Sequence, residues 1–406
     1  MQLTAIISKN NFRSLLWHAG FLALAQIFID IDTVIPAMLI DSGGTAIHVG
    51  ILTAIMLGGS SFTQLIFAPF ISNYSFKKKF LLLGINARIL ALLAIGLLLY
   101  FNSYFQGNYR ILLIFLLISI FSLGGAFANI SYTDILGKSV AEHSRKLFFS
   151  VRQMITGIIL LGSVFLARQV LTANEYPLNY AYMFFIGFMA LAIASIGFWK
   201  LKEVVPSRLA IKGPGHFIQL IKSELNKNQK LGYFLGFINT MGISIGFLPF
   251  IILYAKENFN TQSSDTANFL LFKIAGSVFI GLLLFVLSGK FRYRNLLYLN
   301  TALALALPVL LLLPGTSPPL NIVFIIGGIM VAVYGISMNG VLLEVSGTSN
   351  RALYTGIAGA GNILPALFPL LGGWVIIQQG FHVFFMIYMA VILMSLFFIY
   401  KLKCSH

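Results

Sequence analysis

Charge is what this 406-residue chain has least of. Only 9% of its residues are Asp, Glu, Lys or Arg, while 58% are apolar. A soluble domain carries about 25% charged residues, so too few charges are present to cover a water-facing surface. Mean hydropathy is +0.91. A water-soluble fold is excluded. Cysteine is reduced to one residue, Cys404, which excludes a disulfide framework, a thiolate metal site and CxxC redox chemistry. Acids are scarce as well, 11 against 27 Lys and Arg, for a formal charge of +16. In a soluble chain that excess suggests nucleic acid. Here the bases fall between apolar blocks and read as membrane orientation, with no nucleic-acid partner expected. The chain also lacks a phosphate-binding glycine loop, a metal-ligand cluster, a nucleophile–base arrangement and any loop long enough for a soluble catalytic domain. Neither an enzyme nor an ATP-driven pump is expected, and no cofactor or metal.

What the chain has is apolar length. At roughly 20 residues per span, its apolar content leaves room for about a dozen helices. Windows of about 19 residues pick out blocks near 15–39, 49–72, 80–101, 111–136, 148–171 and 181–201, then 231–255, 267–289, 295–314, 322–343, 352–378 and 383–402. Block 15–39 is too long for the apolar core of a signal peptide and has no small-residue cleavage site after it, so it is expected to remain as the first span. The organisation expected is a bundle over 1–201, a polar linker over 202–230 and a second bundle over 231–406. The fold class is an all-α integral membrane protein with twelve transmembrane helices in two six-helix pseudo-repeated bundles.

Lys and Arg asymmetry sets the orientation. With the N-terminus inside, only Arg110, Arg168 and Lys256 fall near outer ends and only Arg88 and Lys273 within spans; the other bases are all inside. Both termini are therefore expected in the cytoplasm, in a multi-pass protein of the cell inner (plasma) membrane. In the linker, Gly213-Pro214-Gly215 precedes Phe217, Ile218, Leu220, Ile221 and Leu225, interspersed with Lys222, Lys227 and Lys230. This pattern fits an amphipathic helix on anionic headgroups, and equally a plain basic connector.

Local motifs repeat between the halves. Asp134 closes the fourth block and Arg145 precedes the fifth; Glu344 and Arg351 echo them between the tenth and eleventh. Basic loops at 77–79 and 290–294 occupy matching places. The run from Pro69 to Lys79 keeps the basic end of a loop signature, with Asn73 about where its acid is expected. Asp32-Thr33-Val34-Ile35-Pro36-Ala37 is followed by Gly50-Ile51-Leu52. On these residues and the six-plus-six layout, the whole chain resembles the major facilitator superfamily, specifically a poorly characterised branch of it. The resemblance implies a secondary transporter working by alternating access, built from parallel repeats. It implies an inner gate from the loops carrying Asp134, Arg145, Arg152, Glu344 and Arg351. It also implies a cavity lined by helices 1, 2, 4, 5, 7, 8, 10 and 11, on which Gln26, Gln64, Asn129, Tyr132, Gln153, Asn239, Tyr334, Asn339 and Asn362 all lie. Singly, each is as readily interhelical hydrogen-bonding glue; together they suggest a polar lumen.

Ionisable residues in spans cost at least about 2.5–3.5 kcal/mol each and need a reason. Arg88, eight residues into the third block, is accommodated by snorkelling or by a pair with Asp134. Asp30 and Asp32 lie about 13 and 10 Å below the outer edge by helix rise, and point about 200° apart on a helix. At most one faces a central cavity. Lys273 lies at the level of Asp32, about 10 Å deep, so a pair between them is expected and Lys273 joins the cavity residues. His18 is read as interfacial. The function expected is proton-coupled export of a small amphipathic organic solute, with Asp30 or Asp32 carrying the proton. Proton-coupled or facilitative import of a metabolite is the alternative, and a transporter-like receptor without flux a more distant one. The partners are a small-molecule substrate, protons (or sodium) and the lipid bilayer, for a monomeric protein.

Overall fold

The computed structural model describes residues 3–105, 107–206, 214–287, 292–313, 319–346 and 351–402. Within these, the side chains of Gln64 and Arg351 lie outside the described residues, as do the linker stretch 207–213, part of the basic loop at 290–294, and Cys404. The first half runs α1 (Ala5–Phe28), α2 (Val34–Asp41), α3 (Ala46–Ser72), α4 (Lys78–Tyr100), α5 (Gly107–Ser139), α6 (Glu142–Ala173) and α7 (Leu178–Lys200). The second runs α8 (Pro214–Lys227), α9 (Gln229–Met241), α10 (Leu248–Phe259), α11 (Ser263–Val286), α12 (Tyr293–Leu312), α13 (Leu320–Ser346), α14 (Arg351–Ala360) and α15 (Leu364–Leu402).

No strand occurs among the described residues, as expected where lipid leaves the backbone no other hydrogen-bond partner. Nine helical runs among the described residues are long and apolar enough to cross a membrane. This is a multi-pass membrane protein. Block 49–72 is represented only by its described part, Ala46–Gly59, a shorter apolar helix outside this count, and elsewhere helices break and merge. Block 15–39 folds as two helices, with 29–33 non-helical between α1 and α2. Asp side chains compete for nearby backbone N–H groups, and Pro36 is tolerated only because it falls in the first turn of α2. Blocks 352–378 and 383–402 share one run, interrupted by Gly380 at φ 81°. Between α9 and α10 the chain tightens into a 3-10 turn over Gly242–Gly246.

Contacts group the chain into two compact units, Met1–Asp30 with Phe62–Ile218, and Ile31–Ser61 with Gln219–His406. In the first, α1 packs on α6 and α7, and α4 on α5 and α7. In the second, α13 packs on α11 and α12, α15 on α9, and α2 on α10 and α11. Residues 31–61 precede the linker yet belong with the helices on its far side. Their approach to α15 needs glycine: a Cβ on Gly50 would meet the Pro369 carbonyl, and one on Gly373 the backbone of Ala46 and Ile47. Small residues let membrane helices approach this closely.

Candidate functional site

Within the second unit, the break after α1 places Asp32 against Lys273 of α11. The carboxylate Oδ2 and the ammonium stand 2.5 Å apart, with side chains 6% and 7% exposed. A second pair, Lys256 of α10 with Asp41 at the end of α2, spans 2.7 Å. The short helix α2 is thus tied near both ends to α10 and α11. Asp30 is buried on the same break. Because 29–33 is not helical, the expected 200° separation of the two acids does not apply. Sequence reading expected the Asp32–Lys273 contact; it placed Lys256 at an outer end without its partner, although Asp41 closes a block at a similar level.

Other polar residues of this unit split by role. Asn239 is committed to the backbone: its Nδ2 donates to the carbonyls of Leu235 (2.9 Å) and Gly361 (2.7 Å). Its Oδ1 accepts from the N–H groups of Ile363 (3.2 Å) and Leu364 (2.8 Å). It stitches the gap between α14 and α15 and satisfies the groups that the break frees. Tyr334 and Asn362 come together beside Gly242, where a Cβ would meet the Tyr334 hydroxyl and Asn362 Oδ1. Asn339 is exposed and donates within its own helix to Gly335, at 2.8 Å. Glu344 is half-buried near the end of α13, and Arg351 opens α14.

In the first unit, Asp134 pairs with Lys77 (3.1 Å) and Lys138 (2.8 Å). Lys138 reaches Glu203 at 2.7 Å, the acid being only 3% exposed. The Glu203 carboxylate also accepts the backbone N–H groups of Lys77 and Lys78, at 2.8–2.9 Å, at the start of α4. An acid at a helix N-terminus is favoured by the dipole as well. Arg145 donates to the backbone carbonyls of Val140 and Gly137. Of the expected gate residues, Asp134 therefore joins a network with Lys77, Lys138 and Glu203. Glu203 was missed; the available signal was an acid directly after the basic end of the sixth block.

Above this network lies a cavity of about 130 Å³ whose polar lining is His18, Arg88, Asn129, Tyr132 and Arg152. Arg88, read from sequence as snorkelling or paired with Asp134, instead reaches this cavity with its guanidinium 4.2 Å from the centre of the Phe121 ring. Arg152 stands 5.9 Å from the Tyr132 ring, so this expected gate residue is a cavity residue. His18 is buried rather than interfacial; its Nδ1 lies 3.2 Å from the Ala194 carbonyl and its ring stacks on Phe198 at 3.6 Å. Asn129 and Tyr132 line this cavity. Gln26 and Gln153 are exposed and do not line it.

Among solved structures, the fold is similar to that of a nucleoside transporter, NupG, at 14% identity and TM-score 0.69, covering 96% of this chain and 98% of that one. A transporter of the POT family, solved with a thioalcohol-conjugated peptide, matches at 13% identity and TM-score 0.67 over 97% and 96%. A D-xylose–proton symporter matches at 13% and 0.65 over 95% and 96%. Curated protein sequences return no match. The sequence profile of the Major Facilitator Superfamily matches residues 16–357, most of the chain and all but the last helical run. A match over so much of its length shows that the chain belongs to the major facilitator superfamily.

Proposed function

We propose that this secondary transporter exports a small amphipathic organic solute in exchange for protons, with Asp30 or Asp32 carrying the proton. The observation that supports this most is the buried Asp32–Lys273 pair on a helix break. A carboxylate held by an ammonium stays ionised; once the ammonium moves away, burial favours the protonated form. Protonation of Asp32 would therefore accompany release of residues 31–61 from α11, so that proton uptake and conformational change share one event. A ligand moves such an equilibrium only by binding its two states differently, and a buried ion pair present in one state supplies that difference. The basic loops favour cytoplasmic termini in the plasma membrane, and the twelve apolar blocks favour two six-span bundles.

The test is flux in proteoliposomes with a solute selected by thermal-shift screening of the purified protein. Asp30→Asn or Asp32→Asn is expected to abolish pH-driven flux while keeping solute exchange, which needs no proton cycle. Normal pH-driven flux in both variants would overturn the coupling assignment.

A further inference from the structure

We propose that the cavity of the first unit seats an anionic head group of the transported solute, a carboxylate or a phosphate, between Arg88 and Arg152. The proposal rests on the secondary-transport reading and adds a substrate class to it. Two guanidinium groups line one small cavity, and no acid among the described residues lines it. Among the described residues neither arginine takes part in an ion pair, and Arg88 Nε is buried without a hydrogen-bond partner. Asp134 and Glu203, acids of the same unit, are engaged with Lys77 and Lys138. An unpaired cation held in a protein interior is costly, and the Phe121 face offsets only part of that, since a cation over a ring contributes about 0.5–2 kcal/mol. An anion entering the cavity removes the remaining cost. Guanidinium groups suit carboxylate and phosphate oxygens because they present paired N–H donors in one plane.

The rest of the lining fits a head with an apolar tail. Tyr132 and Asn129 add neutral polar groups beside the arginines, while Leu22, Leu81 and Phe198 give apolar wall. At about 130 Å³, against about 30 Å³ for one water in the liquid, the space holds a carboxylate or phosphate head and the start of a chain. A cationic head would meet two like charges there.

Hexanoate, hexyl phosphate and hexylammonium share one tail and differ in the head, so they isolate its charge. Each is titrated against the full-length protein in phosphatidylcholine nanodiscs, with and without phosphatidylglycerol, with melting temperature as the readout. The two anions are expected to stabilise the protein saturably in both lipid backgrounds, and hexylammonium not at all. Arg152→Gln should weaken anion binding by at least about tenfold, the loss of one charged hydrogen-bonding partner, and Arg88→Lys should weaken it by less, since lysine keeps the charge and loses only the paired planar donors. Lys9→Gln, at an exposed cation on α1, should leave binding unchanged. Stabilisation by hexylammonium equal to that by the anions, or undiminished anion binding in Arg152→Gln, would overturn the site. So would stabilisation by phosphatidylglycerol with none by either soluble anion, which would make this a lipid site. Counterflow of labelled hexanoate separates the two readings. Binding without counterflow in the wild type would sink transport and leave the site standing. Counterflow that Arg152→Gln leaves intact would sink the site and leave transport standing.

Discussion

Lys273 and Asp32 each remove the other's largest liability. Either one alone in a span carries a charge that lipid does not solvate, and at 2.5 Å with almost no exposure each gives the other a partner. Deleting one partner strands the other, a loss of about 3–5 kcal/mol for a buried pair. Asp32→Asn or Lys273→Gln alone should therefore lower the melting temperature of the purified protein more than the double variant, which leaves no orphan charge. Equal effects for single and double variants would show that the pair contributes nothing as a pair. The Asp41–Lys256 contact is a useful contrast, since Asp41 is 21% exposed. Water reaches it, so Lys256→Gln is expected to cost less than Lys273→Gln in the same melting assay, and high salt should narrow the difference between Lys256→Gln and wild type.

Helices in this chain break where side chains are ready to take over the freed backbone groups. The gap between α14 and α15 leaves a carbonyl and two N–H groups that Asn239 satisfies with both ends of one amide. Its expected place in a substrate cavity and this stitching role make different predictions. Asn239→Leu should destabilise the fold by about 1–3 kcal/mol for each buried group left without a partner. Solute affinity in the surviving folded fraction should stay near wild type. Asn339→Ala, removing an exposed amide bonded only to Gly335, should leave the melting temperature unchanged. A stable Asn239→Leu protein that binds solute poorly would return Asn239 to the cavity. Sequence periodicity showed none of this, because an asparagine in an apolar block looks the same whether it faces a lumen or a neighbouring backbone.

At the scale of the molecule, residues 31–61 are grouped with the helices beyond the linker, held by two ion pairs and by the close approach at Gly50 and Gly373. If transport requires this segment to leave the helices it packs on, fixing it there should stop the cycle. Asp41→Cys with Lys256→Cys, in a Cys404→Ser background to remove the single native thiol, puts thiols where an ion pair of 2.7 Å stands, and a bifunctional thiol reagent with a reducible link should join them. Flux is expected to fall on cross-linking and return with reductant, while solute binding persists. Full flux in the cross-linked protein would mean that the segment stays with its unit throughout, and that release of Asp32 from Lys273 is not part of transport.

Sequence alone determined that the chain lives in a membrane and is helical, because lipid offers backbone groups no partner outside the helix and apolar length is written in composition. It also put Asp32 and Lys273 at similar counts of residues from the ends of their blocks, which was enough to expect the pair. It did not determine which way side chains turn or which helices meet. Arg88 and Asp134 were plausible partners by depth, yet Lys77, Lys138 and Glu203 surround the acid while Arg88 turns to Phe121 and Arg152 lines the same cavity. Those choices depend on helix rotation and on neighbours distant in sequence. Inside a bilayer, apolar faces point both to lipid and to other helices, so hydrophobic periodicity leaves the rotation open and packing alone decides it.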